Sequence, residues 1–171
     1  MHERRADFDR FVAGSTDALL RTAYLIVWDL DEAEDLVQDT LFEVARRWPR
    51  VQRMEHPGAY ARRVLVNRAL NGADRRARRR RELSTAPPER VAPADEAAVV
   101  DGQGELMAAL AALPPRQRAV LVLRYFLDLP EAEVAAALKC SLGTVKSTAS
   151  RGLARLEQAL STNNETRSIP T

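Results

Sequence analysis

Pro130-Glu131-Ala132-Glu133-Val134-Ala135-Ala136-Ala137-Leu138, then Lys139-Cys140-Ser141, then a longer run that opens Leu142-Gly143-Thr144-Val145-Lys146-Ser147 and reaches Leu160, decides how this chain is read. A short apolar-faced helix, a three-residue break and a second helix with a different polar face follow each other at helix-turn-helix spacing. Val134, Leu138, Val145, Ala149, Gly152, Leu153 and Leu156 recur at three- and four-residue steps and are expected to face a core. Ser141 is the expected N-cap of the second helix. Gly143, Thr144, Lys146, Ser147, Ser150, Arg151 and Arg155 then remain outside, and no acidic side chain occurs from Leu142 through Leu156. Small hydrogen-bonding residues and cations near a helix N-terminus suit the edges and phosphates of a major groove. An αα-hairpin with a solvated polar face shows the same pattern.

Outward from that stretch, every periodic segment reads as helix. Arg116 to Leu127, with Val120, Leu123 and Leu127 inward, precedes it; the part from Val120 to Leu127 alone would also fit a strand. Leu106, Ala109, Leu110 and Leu113 form one more short helix, closed by Pro114-Pro115. Residues 82–104 hold Pro87, Pro88 and Pro93 among Ala, Ser and acids without apolar periodicity, the pattern of an extended linker. Residues 161–171 have nothing to bury and are expected to form a disordered tail.

In the first half, residues 3–13 predict a helix with Phe8, Phe11 and Val12 inward, broken near Gly14. Ser15 or Thr16 would cap a second helix carrying Leu20, Ala23, Tyr24 and Val27. Asp29 or Asp31 starts a third, reaching Trp48, with Val37, Leu41, Val44 and Trp48 as its stripe. Pro49 ends it, residues 50–56 form a loop, and Pro57 opens a fourth helix that runs to about Arg80. The expected fold is all-α: two small helical domains, 1–81 and 105–160, joined by a Pro/Ala-rich linker.

The 171 residues are 46% hydrophobic and 29% charged, with no apolar run long enough to span a bilayer and no apolar signal core after Met1-His2-Glu3-Arg4-Arg5, so a cytoplasmic protein is expected. The single cysteine, Cys140, excludes an internal disulfide, and with His2 and His56 it makes no metal site. There is no Gly-rich phosphate loop and no nucleophile with a plausible base, so no catalytic residue, cofactor or small-molecule substrate is expected.

The net charge of +2 hides a split distribution. Asp29, Asp31, Glu32, Glu34, Asp35, Asp39 and Glu43 fall in one stretch without a base, whereas residues 62–81 hold nine arginines against Asp74 alone. Two partners of opposite electrostatic character are implied. On the acidic helix, Glu32, Asp35, Gln38, Asp39, Phe42 and Glu43 share the polar side, where like charges at four-residue spacing repel unless a basic group relieves them. On the next helix Tyr60, Val64, Asn67, Asn71, Arg75 and Arg78 fall at steps of three and four. Two amides between an aromatic and arginines can hold bases and track phosphates.

The order of parts resembles a known family. Glu34-Asp35-Leu36-Val37-Gln38-Asp39-Thr40 precedes Val66-Asn67, and after the linker come Leu113-Pro114, Arg116-Gln117-Arg118 and Gly143-Thr144-Val145-Lys146-Ser147. This is similar to bacterial extracytoplasmic-function (ECF) sigma factors of the sigma-70 family, the minimal kind with regions 2 and 4 only, and to the actinobacterial type among them. The resemblance runs from about Phe8 to Leu160. It implies that residues 1–81 are region 2 and residues 105–160 region 4, a winged-helix-like helix-turn-helix without a wing.

By the same resemblance Asp35, Gln38, Asp39 and Glu43 would dock on the clamp helices of core RNA polymerase, whose flap is a further expected contact. Tyr60, Asn67, Asn71, Arg75 and Arg76 would serve the −10 element of promoter DNA, with the loop from Trp48 to His56. Thr144, Lys146, Ser147, Ser150, Arg151 and Arg155 would read the −35 element as duplex. The linker would pass near the RNA exit path, and an anti-sigma factor is an expected partner. Three positions depart from the family pattern: Tyr60 stands for the usual Trp, Pro130 for a capping Ser or Thr, and Lys139 for a frequent Gly. A left-handed Lys139 would cost roughly 1 kcal/mol. The alternative reading is a stand-alone helix-turn-helix regulator that binds duplex without polymerase. Such regulators usually dimerise on repeated half-sites, and no dimerisation helix is evident here.

Overall fold

The computed structural model describes residues 2–83 and 102–167, all helices and turns, with no strand among the described residues. The run from Val120 to Leu127 is helical. In chain order the helices are α1 (His2–Val27), α2 (Leu30–Arg46), α3 (Trp48–Val51), α4 (Pro57–Leu83), α5 (Gly102–Ala111), α6 (Pro115–Leu121), α7 (Glu131–Leu138) and α8 (Leu142–Arg167). A π-helical turn, Val122–Phe126, extends α6. Residues 84–101, most of the expected linker, lie outside the described residues, and residues at both ends of the expected linker belong to α4 and α5.

Gly14 does not break α1. A mid-helix glycine costs about 1 kcal/mol against alanine. That cost is offset because Phe8 and Phe11 both pack on Trp48, with ring centroids 5.3 and 5.1 Å away, while Leu19, Ala23 and Ile26 continue a buried stripe. Thr16 caps nothing; its hydroxyl donates back to the Val12 carbonyl at 2.7 Å, as mid-helix threonines do. The chain turns at Trp28, left-handed at φ 58°, and Asp29 caps α2 by accepting the Glu32 N–H at 2.8 Å. Pro49 does not end a helix either. After α2 stops at Arg46 it occupies the first turn of α3, where its missing N–H is no loss, and Val51 is fully buried.

The first domain closes around Val37, Val44, Trp48, Ala61 and Leu65. In the second, Val120, Leu123, Val134, Leu138, Val145 and Ala149 form the core, as the spacing predicts. Leu153 does not join them and is 43% exposed. The inward line of α8 passes through Val145, Ala149 and Gly152, and a residue one step beyond Gly152 is rotated by about 100° off that line. Gly152 lies so close that a Cβ there would sit 3.1 Å from Leu121 Cδ1. The expected tail begins as helix, since α8 continues to Arg167; residues 168–171 lie outside the described residues.

Arg118 braces the second domain. It is 9% exposed; its Nε donates to the Leu110 carbonyl at 3.1 Å and its Nη2 to those of Ala111 and Leu113 at 2.7 and 2.8 Å. The Ala111 carbonyl lies at the end of α5, where helical partners run out, and the Leu110 carbonyl also accepts the Leu113 N–H at 3.1 Å. Arg118 Nη1 donates to the Ile26 carbonyl at the end of α1, in the other domain. Burial lowers its pKa to about 10, so the side chain is still a cation at neutral pH. The apolar cluster follows the same path: Ile26, Val66, Ala69 and Leu70 of the first domain are continuous with the core of the second. No described helix is long and apolar enough to cross a membrane.

Candidate nucleic-acid interface

The helix-turn-helix forms around the turn Lys139-Cys140-Ser141. Lys139 is left-handed, φ 52° and ψ 47°, the conformation in which lysine stands at a disadvantage to glycine. Pro130 precedes α7 without a side-chain cap. Ser141 does cap α8, accepting the Thr144 N–H at 3.1 Å with the Thr144 hydroxyl 2.9 Å away. Cys140 is half-buried and packs at the edge of the core.

With Val145 and Ala149 held inward, Thr144, Lys146, Ser147, Ser150, Arg151 and Arg155 all emerge exposed. The Ser147 hydroxyl donates to the Thr144 carbonyl at 3.2 Å and Arg151 Nε to the Ser147 carbonyl at 3.3 Å, bonds within the helix itself. Lys146 Nζ lies 3.8 Å from a Glu131 carboxylate oxygen, an exposed pair of small energetic weight. One helical face thus offers hydroxyls and cations with no acid of its own.

The residues singled out on α4 do not share one environment. Asn71 and Arg75 are exposed, and Arg75 Nε bonds the Asn71 carbonyl at 3.4 Å. Arg76 is ion-paired with Glu32 of α2. Tyr60 is half-buried, its hydroxyl accepting from Arg47 at 3.4 Å. Asn67 is turned toward the other domain, where its amide donates to the Ala137 carbonyl of α7 at 2.8 Å and to the Arg63 carbonyl at 2.7 Å. Between α7 and the segment from Arg47 to Arg63 lies an open cleft of about 870 Å³, lined by Arg47, Arg50, Arg62, Arg63 and Tyr60 on one side and by Leu129, Glu133 and Ala137 on the other.

The acidic face of α2 finds its basic relief inside the same domain. Arg68 of α4 donates to Glu43 at 2.6 Å and stands 3.8 Å from Asp39, and Arg76 takes Glu32. The Arg68 hydrogen bond holds the Glu43 carboxyl below its usual value of 4.5. Asp35 and Gln38 stay exposed, and Phe42 beside them is 67% exposed. The roles of Arg118 and Arg68 escape a reading of spacing. Arg118 follows Arg116 and Gln117 in a polar helix start, which does not single it out, and Arg68 is one arginine among nine in its stretch.

A four-helix domain with an acidic helix against an arginine-rich one, followed by a helix-turn-helix whose outer face is cationic, defines a two-domain DNA-binding protein. The models of sigma-70 region 2 and sigma-70 region 4 match residues 13–81 and 103–156. The chain is 38% identical over 157 residues to the RNA polymerase sigma-E factor of Streptomyces coelicolor, covering 90% of this chain and 86% of that protein. The sigma-E factor of Streptomyces antibioticus is 39% identical over 161 residues, 92% of this chain and 87% of the relative. Among solved structures, the sigma factor RpoE in complex with the anti-sigma factor NepR from Bartonella quintana superposes with a TM-score of 0.72 at 26% identity, covering 91% of this chain and 97% of that one. The chain belongs to the sigma-70 family, as an ECF RNA polymerase sigma factor.

Proposed function

We propose that this sigma factor binds core RNA polymerase through α2 and directs initiation by holding promoter DNA at two points, the −35 element as duplex on α8 and the −10 element as separated strands on α4. The observation that carries this reading is the outer face of α8, where six polar or cationic side chains at one helix end are exposed without an acid among them. Lys146, Arg151 and Arg155 suit phosphates, and Thr144, Ser147 and Ser150 suit base edges. On α4, Asn71 and Arg75 are exposed, and with Asn67 and Tyr60 they supply the amides, cation and aromatic that a strand with unpaired bases requires. Capture of such bases would offset the unstacking that strand separation demands.

For the polymerase contact, the exposed Asp35 and Gln38 are the stronger candidates, with Asp39 beside them; Glu43 is tied to Arg68. An anti-sigma factor is proposed as a further partner, on the likeness to a sigma factor that has one. The test is reconstitution: purified protein added to core enzyme should yield promoter-dependent transcripts, and a folded protein that yields none over a range of promoters would overturn the reading. Asp35→Arg should weaken association with core enzyme while leaving helical content unchanged. It probes docking more cleanly than a change at Asp39, which stands near Arg68.

A further inference from the structure

Two hydroxyls in the first turns of α8 are held in opposite senses. The Ser147 hydroxyl donates to the Thr144 carbonyl at 3.2 Å, so its single hydrogen is spent inside the helix and lone pairs are what it can offer a ligand. Thr144 is held from the turn before the helix. Its Oγ1 lies 2.9 Å from Ser141 Oγ, and the same Ser141 oxygen accepts the Thr144 N–H at 3.1 Å. One hydrogen bridges the two hydroxyl oxygens, and only one of them can supply it. An oxygen that already accepts a hydrogen bond gives up its own hydrogen more readily, because linked hydrogen bonds polarise one another. Ser141, which accepts a backbone N–H at the positive end of a 26-residue helix, is therefore the donor of the pair. Thr144 then accepts through one lone pair and keeps its own O–H for the outside. Both residues are exposed, so neither hydroxyl is needed to fill the core.

We infer that Ser141 is a positioning residue for base readout: beyond capping α8, its hydroxyl fixes Thr144 as an outward hydrogen-bond donor, which pairs with an acceptor on a base edge of the −35 duplex. In a major groove such acceptors are guanine N7 and O6, adenine N7 and thymine O4. Ser147, its hydrogen committed, takes the opposite sense and suits the amino group of a cytosine or an adenine. The inference rests on the assignment of the outer face of α8 to the −35 element.

The test uses core enzyme with the full chain, on a promoter from which wild type initiates and on duplexes in which each −35 base pair is changed singly. Ser141→Asp keeps an N-cap as good as serine, but its carboxylate carries no hydrogen at neutral pH, so Thr144 must turn its O–H inward and face the duplex with lone pairs alone. The unfolding midpoint should match wild type, while the preference at one −35 base pair should fall about fivefold, the weight of one ordinary hydrogen bond. Thr144→Val, which lacks the hydroxyl, should lose the preference at the same base pair. Adding Ser141→Asp to it should change that preference no further, because repulsion between a carboxylate and phosphates weakens binding to every sequence alike. Ser141→Thr, which keeps both cap and hydroxyl, should read the element as wild type does. A preference unmoved in Ser141→Asp, or lost equally in Ser141→Thr, overturns the inference. So does a Thr144→Val chain that binds all the duplexes more weakly by one factor, since Thr144 would then touch phosphate. A wild-type chain that initiates on no promoter fails the sigma reading and the inference with it, whereas one that initiates and shows those outcomes fails the inference alone.

Discussion

α4 and α8 carry similar chemistry in opposite conditions. Both present side chains suited to nucleic acid, yet the outer face of α8 stands clear of the protein, apart from the weak Lys146–Glu131 pair, while much of α4 is already engaged. Arg68 and Arg76 hold α2, and Asn67 is bonded to α7. The difference shows that a cluster of arginines is not by itself a free electrostatic surface. Some of the nine bind the acidic helix that the sequence places nearby, so the charge split that suggests two external partners also closes the first domain on itself.

The largest way to break this contrast is to remove the brace that ties the end of α5 to the end of α1. Arg118→Met keeps the volume and deletes the donors, leaving the carbonyls of Ala111 and Leu113 without them, while that of Leu110 keeps the Leu113 N–H. Unsatisfied buried groups of this kind should lower stability by about 3 kcal/mol, measurable as a shifted urea midpoint. Since the Ile26 contact goes too, the expected product is a less stable and less compact chain, in which the faces of α4 and α8 no longer differ so sharply in exposure. A stability within experimental error of wild type would show that solvent replaces Arg118 readily.

Changes on α8 are milder and sharpen the contrast from the other side. Lys146→Ala and Arg151→Ala remove exposed cations that brace nothing in the core. Each should weaken binding of the polymerase–sigma complex to −35 duplex by about 1–2 kcal/mol, Lys146 with a shallower salt dependence, and neither should move the unfolding midpoint. If both leave promoter binding unchanged, the outer face of α8 is only solvated.

These contrasts also show which features could be read from residues alone. The core of the helix-turn-helix was legible because Val134 and Leu138 on α7 and Val145 and Ala149 on α8 each recur at helical spacing. The left-handed Lys139 entered only as a condition suggested by the glycine frequent there in the resembling family, whereas the Ser141 cap was legible because cap chemistry is local. Gly14 and Pro49 misled for the same reason: local propensity argued for breaks, and distant partners, Trp48 for α1 and the core around Val51, decided otherwise. Leu153 failed as a core residue because the adjacent Gly152 takes the inward position, which leaves Leu153 rotated off that line. The cover on Asn67 and the reach of Arg118 to Ile26 join residues 70 and 92 positions apart, a relation that no spacing on one helix encodes.

The smallest expected effect concerns the ion pair that separates α4 from α8 electrostatically. The Arg68 hydrogen bond lowers the pKa of Glu43 from 4.5, and partial burial opposes it. A carboxyl whose folded pKa is depressed binds fewer protons folded than unfolded, so its contribution is complete above the unfolded value and is lost as pH falls through the lower, folded one. Arg68 and Glu43 are part-exposed, with side-chain exposures of 38% and 27%, and solvent screening keeps such a pair at about 1 kcal/mol or less. The stability difference between wild type and Glu43→Gln should therefore be small at neutral pH, smaller in high salt, and should fade below about pH 4.5 rather than persist. A difference independent of pH would mean that Glu43 acts through packing and not through its charge.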